Sequence, residues 1–351
     1  MQNTTDTPSD APASGPLSLP RATLGGVLMG LANLVPGISG GTMILALGLY
    51  ERFIGTVADL SRLRITREHV LFILALGAGL VAAVLVGSGV AVRLVAEHRW
   101  AMYALFIGMT LGGAPELVRA SRPLRAPVVL AFTLGVALMA WFAFRSGETR
   151  LEPTIPTLLV VGAVAASSMI LPGVSGSYIL LILGMYDLVI GALSLSEVRA
   201  APAESLRIVG PVVVGAVLGI ALLSNALKAL LERYSAPAHG ALLGLLVGSV
   251  LGLYPFQAAV HPELAHRPTR KAVEAVLLKG EDVAAAAAEV DGLDAAALGL
   301  HAEKWADSDK GALKRASLET RRFDPDGGRI GRALGLFLVG FALTRLLGRR
   351  S

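Results

Sequence analysis

Two short runs carry the residue types best suited to holding an anion. The first contains Asn33, Pro36, Ser39, Gly40, Gly41 and Thr42; the second contains Pro172, Ser175, Gly176 and Ser177. In the first, Pro36 and Gly37 end one helix and Ser39 stands where the N-cap of the next would lie. The leading N–H groups of that next helix lack intrahelical partners and carry the positive end of its dipole. Glycine lets a ligand approach the backbone, and Ser39, Thr42, Ser175 and Ser177 add hydroxyls. Such a set suits phosphate. Asn33 lies one turn before Pro36, but Met169 stands at the matching place in the second run. Asn33 therefore reads either as a one-sided ligand contact or as a group for capping or helix–helix hydrogen bonding. A carboxylate follows each run, Glu51 and Asp187, each directly after Gly-x-Tyr. Two readings of these carboxylates stand side by side: coupling sites for a proton or cation, or charges resting at the membrane interface. Tyr50 and Tyr186 read as interfacial anchors.

The elements that position these runs follow from hydropathy. The chain is 54% hydrophobic and only 16% charged, against about a quarter charged in soluble domains, and its mean hydropathy is +0.65. It is therefore read as an all-α polytopic membrane protein. Each run breaks a long apolar segment near its centre, which in lipid marks a discontinuous or re-entrant hairpin. The runs are copies: Pro172 follows Pro36 by 136 residues, as Tyr186 follows Tyr50, and half of the positions between Pro36–Gly55 and Pro172–Gly191 are identical. Further on, Gly108, Gly112 and Pro115 match Gly248, Gly252 and Pro255 after a small slip. The chain is thus an internal duplication.

The first repeat is expected over 22–146, with a hairpin at 23–60 and spans at 69–95, 100–118 and 127–144. The second covers 156–347, with a hairpin at 156–195 and spans at 208–231, 238–256 and 330–347. A half-helix of about 11 residues after each break would reach about half the hydrocarbon thickness. Residues 1–21, rich in Thr, Ser, Pro and Asp, read as a disordered tail and not a signal peptide. Residues 261–329, polar and Ala-rich, read as a helical insertion with helices near Lys271–Leu278 and Asp282–Val290. Three full crossings per half would invert the second repeat relative to the first. Short loops with Arg62, Arg64, Arg67, Arg119, Arg122, Arg125, Lys228 and Arg233 would face the cytoplasm, together with both termini. The net charge of +5 is explained by this bias, and no nucleic acid is expected. Arg93, Glu97, Asn225 and Lys228 read as snorkelling groups near span ends, with pairing as the other role open to them.

Catalysis is weighed and set aside. Gly37-x-Ser39-Gly40 and Gly173-x-Ser175-Gly176 match the serine motif of rhomboid-type intramembrane hydrolases, but such a serine needs a histidine base. The six histidines fall at span edges or in the insertion. The absence of cysteine excludes disulfides and thiolate chemistry. No spacing suggests a metal or nucleotide, so no cofactor is expected.

At these motifs the sequence resembles a known family. Met29–Asn33, Val35–Thr42, Gly48–Glu51 and Leu171–Tyr178 look like the bacterial polyprenyl-phosphate transporters of PopT type. The resemblance covers roughly 22–256 plus the last span. It implies inverted repeats with re-entrant hairpins, and transport of undecaprenyl phosphate between leaflets of the cytoplasmic membrane for reuse in cell-wall synthesis. It assigns substrate binding to Asn33, Pro36, Ser39, Gly40, Gly41, Thr42, Pro172, Ser175, Gly176 and Ser177. The expected partners are a polyprenyl-phosphate lipid and the surrounding membrane lipids, with Glu51 and Asp187 as candidate coupling groups; the oligomeric state is left open. The alternatives carried forward are a carrier of small soluble anions, a structural or regulatory membrane protein with the insertion as its partner site, and a rhomboid-like hydrolase.

Overall fold

The computed structural model describes residues 18–33, 39–144, 151–193, 199 and 201–348. Most of the expected tail, Pro36 and Gly37 lie outside these residues. Internal contacts divide the chain into two units, Met1–Gly87 with Met109–Gly252 and Phe341–Ser351, and Ser88–Gly108 with Leu253–Gly340.

The first unit holds both hairpins. The first consists of α1 (Leu19–Asn33), α2 (Gly40–Ala46) and α3 (Tyr50–Ser61). Helix α1 starts earlier than the tail's composition suggests, because Pro20 sits in its first turn, where a missing N–H costs nothing. Helices α4 (Arg67–Glu97), α5 (Arg99–Gly112), α6 (Ala114–Ala120) and α7 (Ala126–Phe144) follow. The second hairpin consists of α8 (Ile155–Ser168), α9 (Gly176–Ile182) and α10 (Tyr186–Ala192). Helix α11 (Pro202–Arg233) and helix α12 (Ser235–Ser249), with a 3-10 turn at Val250–Gly252, complete the second set before the insertion.

The half-helices α2 and α9 are 7 residues long, shorter than expected. Gly48 and Gly184 stop them, in the left-handed conformation at φ +66° and +67°. Beyond them Leu49 N–H donates to Ile44 O at 3.0 Å and Met185 N–H to Leu180 O at 2.9 Å. This is the Schellman closure, which a residue with a Cβ enters only with strain.

Glycine also sets how closely helices cross. A Cβ on Gly26 of α1 would lie 1.9 Å from the carbonyl oxygen of Leu76, and one on Gly79 of α4 would lie 2.1 Å from that of Thr23. In the second hairpin a Cβ on Gly162 would lie 2.1 Å from Val212 O, and one on Gly215 2.0 Å from Leu159 O. Gly26 and Gly162, like Gly79 and Gly215, are 136 residues apart. Both α1–α4 and α8–α11 therefore bring backbones into direct contact, the small-residue packing that lipid-embedded helices favour. A Cβ on Gly112 of α5 would meet Phe341 O at 3.0 Å, and one on Gly248 of α12 would meet Val136 Cα at 3.1 Å. By its contacts Gly248, not Gly252, is thus the counterpart of Gly112, and the slip expected from sequence disappears.

Among the described residues, six helices are long and apolar enough to cross a membrane: Arg67–Val86, Arg99–Ala120, Ala126–Ala143, Pro202–Arg233, Ser235–Gly252 and Gly327–Gly348. Leu85, Val86, Leu134, Val217 and Leu222 stand exposed along them, as suits lipid and not water. The protein is an all-α polytopic membrane protein.

The second unit contains the insertion. Helices α13 (Pro262–Ala265), α14 (Arg267–Lys279), α15 (Val283–Ala288), α16 (Ala295–Lys304) and α17 (Lys310–Leu318) precede α18 (Gly327–Gly348). They enclose their own core around Leu264, Val273, Leu298 and Leu313. Asp282, Asp294 and Asp309 each accept a hydrogen bond from the first turn of the helix that follows, worth about 1 kcal/mol apiece. A two-stranded ribbon, β1 (Gln257–Ala259) antiparallel to β2 (Thr320–Arg322), was not expected. Its three-residue strands pair across about sixty residues and leave no local alternation to read.

Glu263 links α13 to α16, accepting from Lys304 Nζ at 2.7 Å and Trp305 Nε1 at 3.4 Å. Burial alone would push its carboxyl up, but these hydrogen bonds and the lysine charge together hold it below the ordinary value of 4.5. A depressed native pKa contributes stability that is present above the unfolded value and is lost as pH falls through the native one. Acid should therefore loosen this corner as pH drops below about 4.5, and Glu263→Gln should remove that dependence. Trp305 fluorescence, with Trp100 and Trp141 replaced by phenylalanine, reads it out. An acid transition identical in wild type and variant would refute the assignment.

Candidate functional site

The two breaks meet, and they meet asymmetrically. Helix α8 ends at Ser168, and the chain then turns tightly, with Ile170 N–H on Ser167 O at 3.0 Å and Leu171 N–H on Ser168 O at 3.1 Å. Leu171 O accepts a long bond from Val174 N–H at 3.4 Å and keeps a second lone pair, and Ile170 O can likewise accept from outside the turn. Side chains of the first hairpin take them up. Ser39 Oγ donates to Leu171 O at 3.2 Å, and Tyr50 Oη donates to Ile170 O at 3.1 Å. Gly173, at φ +86°, donates its N–H to Thr42 Oγ1 at 2.9 Å. Gly41 lies against the same turn, where a Cβ would stand 3.0 Å from Met169 O. The start of α2 therefore faces the carbonyl end of α8, an arrangement that both helix dipoles favour.

Ser39 occupies the N-cap position of α2 with extended backbone, but its hydroxyl caps nothing. That role falls to Asn33, whose Oδ1 accepts from Gly40 N–H at 3.2 Å. The reason is reach: with Leu171 O beside it, the Ser39 hydroxyl has a better-placed partner across the hairpins. Gly40 is needed because a Cβ would sit 2.6 Å from Met29 Cγ and 2.8 Å from Asn33 Oδ1. Gly176 repeats this at the matching place, with Ala165 O at 2.6 Å and Met169 Cγ at 2.7 Å.

Accessibility separates the two runs. Ser39 and Thr42 are only 3% and 1% exposed, and Gly40, Gly41, Pro172 and Gly176 are buried. Asn33 and Ser177 are exposed and Ser175 is half-buried. Ser175 and Ser177 pair with one another, Oγ to Oγ at 2.9 Å, at the first turn of α9. Tyr178 Oη donates to Phe142 O at 2.8 Å. The hydroxyls open to a ligand are thus those of the second run, while those of the first fasten the hairpins together.

Glu51 and Tyr50 also differ from their sequence readings. Tyr50 is buried and bonded to the second break, so it is not an interfacial anchor. Burial between the hairpins outweighs the aromatic preference for an interface. Glu51 accepts from or donates to His239 of α12, Oε1 to Nε2 at 3.0 Å. Sequence reasoning missed His239, since nothing local ties a histidine to a carboxylate 188 positions earlier. The Asp187 side chain lies outside the described part of the structure. Lys228 is paired, with Nζ 2.8 Å from Asp59 Oδ1, and Asn225 Nδ2 donates to Ser61 Oγ at 2.7 Å. These bonds hold α11 to α3, so neither side chain is a mere snorkelling group; the Arg93 and Glu97 side chains lie outside the described part. Among the described residues, no three His, Asp or Glu side chains are grouped to hold a metal.

A family model described as undecaprenyl phosphate translocase-like matches residues 29–268, a stretch that contains both breaks. A polyprenyl-phosphate transporter of Vibrio cholerae serotype O1 is 29% identical over 246 residues, covering 67% of this chain and 77% of the relative. A polyprenyl-phosphate transporter of Staphylococcus aureus is also 29% identical over 246 residues, covering 66% and 85%. No solved structure matches.

Proposed function

This chain belongs to the undecaprenyl phosphate translocase-like family, and on that premise we propose that it carries polyprenyl phosphate between the leaflets of the bacterial cytoplasmic membrane. The phosphate head binds at the paired breaks while the isoprenoid tail stays in lipid. The observation that carries this reading is the accessible Ser175–Ser177 hydroxyl pair at the start of α9, beside the second break. A phosphate crossing hydrocarbon needs a polar path, since an unpaired charge there is expensive. Ser175, Ser177 and the exposed amide of Asn33 supply donors, while Ser39, Thr42 and Gly41 shape the floor. The two repeats lie in inverted orientation and rock about this site, importing spent carrier for cell-wall synthesis, with both termini in the cytoplasm.

The test is leaflet exchange of undecaprenyl phosphate in proteoliposomes. A hydrogen bond to a charged group contributes about 1.5–3 kcal/mol, so Ser175→Ala with Ser177→Ala should slow exchange by at least about tenfold without changing the melting temperature. Ser39→Ala should act chiefly through stability. Unchanged exchange in the Ser175/Ser177 double variant would remove the site from the proposal. Transport of inorganic phosphate at a rate equal to that of the lipid would favour a soluble-anion carrier instead.

A further inference from the structure

We propose that Glu51 and His239 form a proton-binding latch between the first hairpin and α12, and that the halves part only when this proton leaves. The consequence for transport rests on the function proposed above; the proton site itself rests on geometry alone.

His239 Nδ1 lies 2.8 Å from the carbonyl oxygen of Ser235. A carbonyl has no hydrogen to give, so Nδ1 carries one and donates it; the Ser235 hydroxyl, which could donate to a bare Nδ1, is the more distant partner at 3.4 Å. The other ring nitrogen, Nε2, faces Glu51 Oε1 at 3.0 Å. A carboxylate and a bare ring nitrogen would there set two lone pairs against each other. One proton must lie between them, either on an imidazolium donating to a carboxylate or on a carboxylic acid donating to neutral imidazole. Both descriptions contain one exchangeable proton, and removing it turns attraction into repulsion.

Access is one-sided. The His239 side chain is 8% exposed and that of Glu51 50% exposed, so the proton enters and leaves by way of the carboxyl. The charged groups on the surrounding elements have other engagements. Asp59 of α3 is held by Lys228 of α11 at 2.8 Å, with His69 of α4 at 3.9 Å from the same carboxylate. Glu116 and Arg119 of α6 lie 4.0 Å from one another. Arg52 of α3, Arg67, Glu68, Arg93 and Glu97 of α4, and Glu204, Arg207, Glu232 and Arg233 of α11 are the other charged residues on these elements, while α2 and α7 carry none. The link to the breaks is short. Tyr50, next to Glu51 in the chain, is bonded to Ile170 O in the second break. A shift at the start of α3 on proton release is therefore felt where the hairpins meet.

The experiment uses the full-length protein in lipid nanodiscs and proteoliposomes. Nitrogen-15 resonance of labelled histidine, assigned by loss of one signal in His239→Gln, should reveal a single titration step for His239. Glu51→Gln, at a half-exposed position that tolerates the change, should abolish or displace the step. In proteoliposomes, wild-type exchange of undecaprenyl phosphate should fall about tenfold per pH unit below the step. The Glu51→Gln, His239→Gln double variant keeps a neutral hydrogen bond and should exchange at a rate independent of pH. Absence of the step in the wild type, or an unaltered pH profile in the double variant, overturns the proposal. An intact step without any exchange of this lipid supports the proton site and counts against the transport reading.

Discussion

Gly26→Val and Gly162→Val each cost the protein at least about 3 kcal/mol, whereas Gly77→Ala on α4 is silent or mildly stabilising. Overpacking a close-packed interior costs about 1–3 kcal/mol when neighbouring side chains can give way. At Gly26 none can, because the nearest atom is the Leu76 carbonyl oxygen, 1.9 Å from where a Cβ would be, with Leu76 C at 2.8 Å. At Gly162 the obstacle is Val212 O at 2.1 Å. The helices must separate, and the reciprocal contacts at Gly79 and Gly215 open with them. A Cβ on Gly77 would meet nothing within 4 Å, and glycine in a helix costs about 1 kcal/mol relative to alanine. Thermal unfolding in detergent, followed by circular dichroism, measures all three. A Gly26→Val protein that melts with the wild type would show that α1 and α4 do not cross in this way.

Thr42→Val lowers lipid exchange about tenfold and stability by about 1–3 kcal/mol, the cost of a buried donor left without an acceptor. Valine has nearly the shape of threonine, so packing is kept and the Gly173 N–H alone loses its partner. That N–H belongs to the second break, 131 positions further along the chain. The variant therefore loosens the turn that presents Ser175 and Ser177 without touching either. Thr42→Ser, which retains the hydroxyl, should restore exchange and most of the stability. Melting curves and exchange rates of the pair decide the matter: equal loss in Thr42→Ser and Thr42→Val would mean that methyl packing, and not the hydrogen bond, is what Thr42 supplies.

The hairpins illustrate what hydropathy and local chemistry can and cannot convey. Pro and Gly interrupt helices by steric and hydrogen-bonding effects confined to a few residues, so the break near Ser39 and its copy near Ser175 are visible in the chain. The shortness of α2 was equally local, yet it depended on reading Gly48 as a left-handed stop and not as one more apolar-segment glycine. Asn33 shows the limit. Its sequence position allowed a ligand contact, a cap or a helix–helix hydrogen bond, and only the neighbouring Gly40 N–H at 3.2 Å shows that its Oδ1 caps, with the amide NH2 still able to donate elsewhere.

A membrane-spanning helical chain, with a Pro-Gly-x-Ser-Gly run repeated 136 residues on, is legible from the residues alone. Apolar run length, glycine and proline placement, and repetition are all properties of neighbouring residues. Which copy is open follows from contacts between the hairpins. Ser39 and Ser175 are matched copies in the chain, but Ser39 is buried against the Leu171 carbonyl while Ser175 is half-buried and pairs with the exposed Ser177. Tertiary structure joined Glu51 to His239 as well. Such bonds depend on the distance and direction of two groups far apart in the chain, and residue type at either end carries no trace of the other.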